Sequence, residues 1–186
     1  MPVRTKEETL TTTECAVLGL LTRRAMSGYD LKKAIDRSVG YFWGPAKSQI
    51  YAVLPRLVAS GYATSRKVAQ SQRPDKQVYR ITARGRQALK EWIEESPTDP
   101  PPGRNPLLLK LFFGELTSSE VLAEQVRERR ETAQQLKVEL EAMDASPQAA
   151  YQDFYAGLTR KWGHRFADAI IAWADETERE LKRRGE

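Results

Sequence analysis

Apolar residues recur every three or four positions along most of the chain, which is the spacing of amphipathic helices. Residues 62–69 and 76–82 are instead β-compatible. They lie on either side of the turn-rich tip QSQRPD, residues 70–75, and so predict a hairpin. Four helices are predicted in the same part of the chain, at residues 11–24, 27–40, 44–61 and 83–96. The predicted order is therefore three helices, two strands and a fourth helix.

A proline-rich segment then divides the chain. PTDPPPGRNP, residues 97–106, contains five prolines and a glycine, a composition that no regular element tolerates, so it predicts a stiff linker. Beyond it only helices are predicted, at residues 107–116, 118–145 and 146–184. Ser146 and Pro147 are expected to be the N-cap and the first residue of the last helix. We expect a mainly α fold with one domain at residues 1–96 and an all-helical domain at residues 107–186.

The third predicted helix, residues 44–61, has an unusual outer face. The stripe expected to face the core consists of Ile50, Val53, Leu54 and Leu57. The remaining positions carry small residues or residues able to hydrogen bond, none of them acidic: Ser48, Gln49, Tyr51, Ala52, Pro55, Arg56 and Ala59. Because Pro55 has no N–H to donate to the carbonyl of Tyr51, a bend or an irregular turn is expected there.

This order of elements is that of a winged helix-turn-helix with a two-stranded wing, which places its third helix in the DNA major groove and its hairpin against the backbone. Small outward side chains would let the helix approach the groove floor, and serine, glutamine and tyrosine can bond to bases or phosphates. Lys47 lies near the helix N-terminus, which favours a phosphate. The candidate DNA-binding residues are Lys47, Ser48, Gln49, Tyr51, Arg56, Arg66, Lys67, Arg73 and Lys76.

The distribution of charge agrees with a nucleic-acid partner, here double-stranded DNA. The net charge is +5, but residues 1–96 hold 17 basic and 9 acidic residues, whereas residues 97–186 hold 13 and 16. Between residues 37 and 90 there are eleven basic residues and a single acid, Asp75. Such a one-sided segment indicates contact with a polyanion, although chance clustering on a solvated face would give the same count.

Composition and motifs argue against several other classes of protein. No apolar run approaches the roughly 18 to 20 residues that cross a bilayer, and the polar start MPVRTKEETL does not have the pattern of a signal peptide. Cys15 is the only cysteine, which fits a reducing compartment, so a cytoplasmic protein without a membrane partner is expected. The chain has no Walker A, Rossmann, G-x-S-x-G or HExxH motif, and His164 is its only histidine. Neither an enzyme nor a metal site nor a cofactor is therefore expected.

The segments SGYDLKKAI, SQIYAVLPRLVASGY and QVYRITARG, followed by a helical C-terminal region, resemble the PadR family of bacterial transcriptional regulators, in particular its longer members. The resemblance covers nearly the whole chain. Its most specific positions are Ile50, Tyr51, Leu54, Arg56, Leu57, Gly61, the run Tyr79-Arg80-Ile81-Thr82 and Gly85.

The resemblance implies a sequence-specific DNA-binding regulator, expected to be a repressor, with Ser48 and Tyr51 at the DNA. It also implies a homodimer formed by the C-terminal helices. Longer relatives respond to phenolic acids, drugs or other small aromatics, or to no ligand. The chain departs from the family pattern at one point: proline often follows the tyrosine directly, whereas here Ala52 follows it and Pro55 comes a turn later.

Apolar stripes on the C-terminal helices also favour a dimer. The stripe of the last helix consists of Tyr151, Tyr155, Leu158, Trp162, Phe166, Ala169, Ile170 and Trp173. Together the C-terminal stripes are more than a small unit buries alone. A small aromatic effector, if the protein has one, is expected where the two domains meet. Its candidate contacts are Trp92, Trp162, His164, Arg165, Phe166 and Trp173, for which the simpler interpretation is a place in the core.

Two other functions fit the same pattern. A winged-helix regulator of the MarR type is also a basic dimer, but its dimer helices usually come from both chain ends, and the segment before Thr11 is short. A winged-helix adaptor that binds protein would show little sequence preference and little salt dependence on DNA.

Overall fold

The computed structural model describes residues 10–69, 75–96, 105–146 and 154–185. The chain divides into two compact units, Met1–Asp99 and Pro100–Glu186. Helices predominate in both, and a small antiparallel sheet belongs to the first. The predicted fold class, a mainly α protein with a winged helix-turn-helix followed by a helical region, is confirmed.

The first unit is the winged helix. Its elements are α1 (Thr12–Leu21), β1 (Met26–Ser27), α2 (Gly28–Asp36), α3 (Lys47–Ala59), β2 (Ala63–Val68), β3 (Lys76–Ile81) and α4 (Ala83–Glu95). The strand order is β1-β3-β2, and both pairs are antiparallel. α1 packs against α2, α3 and α4. The largest fully buried side chains of this core are Leu18, Leu21, Leu31, Ile35, Ile50, Leu54 and Leu57.

Short polar side chains cap the N-termini of α2 and α4. Ser27 and Asp30 form a capping box: the Asp30 amide donates to Ser27 Oγ and the Ser27 amide donates to Asp30 Oδ2, each at 3.2 Å. Thr82 Oγ1 accepts from the Gly85 amide at 3.0 Å. Gly61 lies just beyond the end of α3 with φ +70°, a conformation that glycine adopts without strain.

Some boundaries of the first unit differ from the prediction. The helix predicted at residues 27–40 ends at Asp36, because the carbonyl of Ile35 accepts the amides of residues 38–40 at 2.8–3.1 Å and closes a tight turn. α1 likewise ends at Leu21 instead of residue 24. The two predicted strands of the wing are β2 and β3, and β1 pairs with the other edge of β3, so the sheet has three strands. A strand of two residues is too short to show a periodicity in the sequence.

α3 is continuous from Lys47 to Ala59 although it contains Pro55. The irregular turn predicted there does not interrupt the helix, because the proline removes only the bond to the Tyr51 carbonyl and lies on the exposed side. The predicted core positions are all buried: Ile50, Val53, Leu54 and Leu57. The register of the helix is therefore retained beyond Pro55.

The described residues of the second unit form α5 (Pro106–Phe112), a 3₁₀ turn (Gly114–Leu116), α6 (Ser119–Ala145) and α7 (Phe154–Gly185). The single helix predicted at residues 107–116 is wrong, because Phe113 has ψ +26° and ends α5. Ser146, predicted as the N-cap of the last helix, is the C-cap of α6. Pro147 and Tyr151 lie outside the described residues.

α6 and α7 pack against each other through small and apolar residues. The buried positions are Leu122, Ala123, Val126, Ala133 and Leu140 on α6 and Gly163, Ala167 and Ala174 on α7. Ion pairs follow the same antiparallel register, at Arg127–Glu178 (3.3 Å), Arg130–Asp175 (2.9 Å) and Lys137–Asp168 (2.7 Å). The aromatic stripe predicted for the last helix does not form this contact, and its largest members remain exposed: Tyr155, Leu158, Trp162 and Phe166.

Candidate nucleic-acid interface

The outer face of α3 is exposed, as the sequence pattern predicted. Its exposed residues are Ser48, Gln49, Tyr51, Ala52, Pro55, Arg56 and Ala59. The helix contains no acidic residue along its length. Such a face can approach DNA closely without repelling the phosphates, and its hydroxyl, amide and phenol groups can reach base edges or the backbone.

The first turn of α3 carries two of the predicted contacts. Lys47 Nζ lies 5.7 Å from the centroid of the Tyr51 ring, a cation–π contact between successive turns. Gln49 Oε1 accepts a hydrogen bond from the Ala46 amide at 2.8 Å and so caps the helix. The oxygen has a second lone pair and the amide group has two N–H donors, so capping leaves Gln49 able to bond outward.

Tyr51 connects α3 to the wing. Burial raises the pKa of Tyr79, and the neighbouring phenol of Tyr51 raises it further. Tyr51 itself is 47% exposed, so its ring is held by the protein on one side and open on the other. α3 and β3 therefore lie close to each other at these two phenols.

The basic residues of the wing lie on both faces of the hairpin. Because side chains alternate along a strand, the register of β2 and β3 puts Arg66 and Arg80 on one face and Lys67 on the other, with Tyr79. All three basic residues are exposed. Arg80 is not among the predicted contacts. Its alternation with the apolar Ile81 in the sequence could have indicated that it is exposed on the wing. Arg73, predicted as a contact, lies outside the described residues.

Arg56 is paired with a residue that no sequence pattern indicated. The carboxylate of Glu14 is almost fully buried: its Oε1 lies 3.0 Å from Arg56 Nη2, and its Oε2 accepts from the Thr11 amide and hydroxyl at 2.8 Å each. Glu14 thus caps α1 and ties it to α3. The positive charge of Arg56 is partly neutralised by this contact.

Lys76 is also paired within the protein. Its Nζ lies 2.8 Å from Asp30 Oδ2 in the first turn of α2. Hydrogen bonds from Lys76 and then from the Ser27 side chain lower the pKa of Asp30 to about 2. The pair joins the base of the wing to α2, so Lys76 has a structural role there.

Replacing Asp30 by asparagine is expected to remove an acid-sensitive contribution to stability. Since the folded pKa of about 2 lies below the ordinary 3.8, the ionised carboxylate stabilises the fold above about pH 4, and this contribution is lost as the pH falls towards 2. The side chains of Asp30 and Lys76 are both about one-third exposed, and solvent screens such a pair. We therefore expect the ion pair to contribute about 1 kcal/mol to the free energy of unfolding, less than the pKa shift alone would give. In urea unfolding, the free energy of unfolding of Asp30→Asn should differ less from that of the wild type at pH 3 than at pH 7. An equal difference at the two pH values would contradict the ion pair.

Of the six residues predicted to contact an effector, two lie together. The rings of Trp162 and Phe166 stack with centroids 5.2 Å apart and planes 9° from parallel, and the Arg129 guanidinium lies 5.9 Å from the Phe166 centroid. His164 faces α6 instead, with Nε2 2.9 Å from Asp144 Oδ2. The other predicted residues, one on α4 and two elsewhere on α7, are Trp92, Arg165 and Trp173.

The described residues hold no cluster of three or more histidine, cysteine, aspartate or glutamate side chains that could bind a metal ion. Within the same parts of the chain, no helix is long and apolar enough to span a bilayer. Cys15 is buried, and this burial, with a smaller effect of Glu14, raises the pKa of its thiol to about 12. The thiol is therefore protonated and packs as a small apolar residue.

A winged helix with an exposed, acid-free third helix and basic residues on its wing is typical of DNA-binding proteins. Two families match the chain: "Transcriptional regulator PadR-like family" at residues 17–91 and "Virulence activator alpha C-term" at residues 103–182. The first match covers α2, α3, the wing and most of α4, and the second covers the helices of the second unit.

Two relatives are similar in sequence. The chain is 30% identical over 135 residues to "Negative transcriptional regulator PadR" of Bacillus subtilis, a match that covers 70% of this chain and 74% of that protein. It is 41% identical over 93 residues to "Probable transcriptional regulator Rv1176c" of Mycobacterium tuberculosis, covering 50% of this chain and 49% of that protein. The chain thus matches about half the length of the mycobacterial relative.

Solved structures share the fold. Bacillus subtilis PadR in complex with operator DNA has a TM-score of 0.78 at 22% identity, covering 92% of this chain and 99% of that one. The same protein in complex with p-coumaric acid has a TM-score of 0.71 at 23% identity, covering 97% and 99%. The Vibrio cholerae virulence activator AphA has a TM-score of 0.71 at 30% identity, covering 92% and 99%. The chain belongs to the PadR-like family, whose members are DNA-binding transcriptional regulators, not enzymes.

Proposed function

We propose that the protein is a cytoplasmic, homodimeric repressor that binds an inverted-repeat operator through α3 and the wing of each subunit. In this proposal residues 1–96 bind DNA and residues 107–186 form the dimer. The observation that carries it is the exposed, acid-free face of α3 in a chain whose second unit leaves large apolar side chains uncovered. The description of the Bacillus subtilis relative as a negative regulator supports repression.

The dimer is supported by the apolar surface of the second unit. Its exposed large side chains, apart from the Trp162–Phe166 stack, include Leu108, Leu109, Phe112, Phe113, Leu116, Phe154, Tyr155 and Leu158. Contiguous apolar surface is costly on a monomer, and covering it with a second copy contributes about 25 cal/mol per Å². A two-fold dimer brings the same surface from both chains and therefore covers both at once.

The symmetry of the dimer determines the form of the operator. Two α3 helices related by a two-fold axis must enter major grooves on one side of the duplex, which requires half-sites about one helical turn, or a small multiple, apart. Selection of preferred sites from random duplexes should therefore return an inverted repeat. A strongly preferred site without dyad symmetry would contradict the proposal.

Lys67→Ala is expected to weaken binding to every duplex alike. Lys67 is exposed on the same face of the wing as Tyr79, which supports a contact between its ammonium and a phosphate. Its loss should reduce the slope of log K against log salt by about one. Titrations at several salt concentrations, on preferred and random DNA, measure this slope. Lys161→Ala, an exposed lysine on α7, is the matched control and should leave it unchanged.

Gln49→Ala is expected to act on sequence preference. If its amide nitrogen meets a base edge, the variant should lose about 1–3 kcal/mol on the preferred site and little on random DNA. Because Gln49 Oε1 also caps α3, thermal unfolding of the variant is measured alongside. Equal losses on both duplexes would identify Gln49 as a backbone contact.

A small aromatic effector is proposed to release the repressor. The Trp162–Phe166 stack with Arg129 offers a planar aromatic surface beside a cation, and Bacillus subtilis PadR has been crystallised with p-coumaric acid. Phenolic acids that release the wild type from DNA should bind Phe166→Ala more weakly, as followed by tryptophan fluorescence. Unchanged affinity in that variant would exclude the stack as the effector site.

A further inference from the structure

The ring of Tyr51 rests on a glycine at the start of the preceding helix. A β-carbon at Gly28, the first residue of α2, would lie 2.9 Å from Tyr51 Cζ, 3.0 Å from Cε1 and 3.3 Å from Cε2. These three atoms form the end of the ring that carries the hydroxyl. The backbone of Gly28 therefore occupies the space beside the hydroxyl end of Tyr51, and any larger residue would intrude on it.

Glycine is needed at this position for space and not for backbone conformation. Among the described glycines only Gly61 has a positive φ, so Gly28 has a conformation that alanine also adopts. Gly28 is itself buried, whereas Tyr51 is 47% exposed on the surface proposed to face DNA. Lys47 borders the same ring, and Tyr79 on β3 is near enough to interact with it electrostatically. The direction of the Tyr51 hydroxyl is thus determined by its neighbours on α2, α3 and β3.

We propose that Gly28 is a positioning residue for operator recognition: its missing side chain seats the Tyr51 ring and thereby directs the Tyr51 hydroxyl at the DNA. The inference rests on the proposed function, in which Tyr51 lies at the operator. In this inference α2 affects operator recognition through the Tyr51 ring, and Gly28 itself does not contact DNA.

The consequence of Gly28→Ala follows from what its β-carbon would meet. All three near atoms belong to the end of a side chain that can rotate, and none belongs to the backbone. The fold should therefore persist while the ring moves away. We expect an unfolding midpoint no lower than that of the wild type and an operator affinity about tenfold weaker, the usual effect of losing one well-placed hydrogen bond.

A double-mutant cycle tests this mechanism. If Gly28 acts through the ring, Gly28→Ala should weaken operator binding in the wild type and have no further effect in the Tyr51→Ala background. Gly19→Ala is the matched control, because a β-carbon at Gly19 in α1 meets no heavy atom within 4 Å. Equal losses from Gly28→Ala in both backgrounds, or no loss in either, would overturn the inference.

A second measurement needs no DNA. With 3-fluorotyrosine in place of tyrosine, the ¹⁹F resonance assigned to Tyr51 should shift in Gly28→Ala and stay in place in Gly19→Ala. An unchanged resonance would overturn the seating of the ring even if DNA binding is weakened. Failure of the proposed function would give a different result, because the wild-type protein itself would then prefer no duplex.

Discussion

Replacing Phe112 by lysine is expected to convert the proposed dimer into monomers and to weaken operator binding at least about 100-fold, the effect of losing a central interface residue. Phe112 is 81% exposed in the single chain and lies at the end of α5 beside other exposed apolar residues. A charge buried there would have no partner, and the two-fold axis would introduce it twice. Lysine suits the C-terminus of a helix, so α5 itself should persist.

Light scattering at micromolar concentration and operator titrations measure the two effects of Phe112→Lys. Gln134→Lys introduces the same charge at an exposed polar position of α6 and should remain dimeric. The added positive charge favours DNA in both variants, so it cannot account for a loss. A Phe112→Lys protein that stays dimeric with wild-type affinity would show that α5 is not in the interface.

Replacing Gly85 by alanine is expected to destabilise the first unit by about 3 kcal/mol or more, the upper range for overpacking. A β-carbon at Gly85 would lie 2.1 Å from the carbonyl oxygen of Tyr62 and 3.0 Å from its carbonyl carbon. These are backbone atoms, and the same oxygen accepts a hydrogen bond from the Thr82 amide at 3.0 Å. Relief therefore requires α4 to move away from the start of β2.

Gly19→Ala is the control for Gly85→Ala as well. Its β-carbon would meet no heavy atom within 4 Å, and alanine in a helix interior is more stable than glycine by about 0.5–1 kcal/mol. Urea unfolding curves should shift in opposite directions for the two variants. If Gly85→Ala unfolds at the wild-type midpoint, the close approach of α4 to Tyr62 is wrong.

Most of the winged helix could be predicted because its signals are local. The apolar stripe of α3 repeats at helical spacing, and the caps at Ser27 and Thr82 stand next to the helices they begin. Contacts between distant residues left no such signal. The pairs Arg56–Glu14 and Lys76–Asp30 join residues more than 40 positions apart, so two basic residues predicted for DNA proved to be paired within the protein.

In the second unit, hydrophobicity alone does not show which face of α7 packs against α6. The aromatic stripe around Trp162 is its most apolar side, yet α6 packs against the side with Ala167 and Ala174. Small residues let two helices approach closely, and the ion pairs that flank them specify the register. The stripe is thus left free to contact a partner. A single sequence cannot show whether an apolar stripe packs in a core or against a partner.

Light scattering of the protein bound to its selected operator counts the chains in the complex. We predict two chains on one duplex that contains an inverted repeat, with the free protein also dimeric. The complex should lose this stoichiometry when one half-site is scrambled. A single chain bound to the intact operator with full affinity would contradict recognition by a dimer.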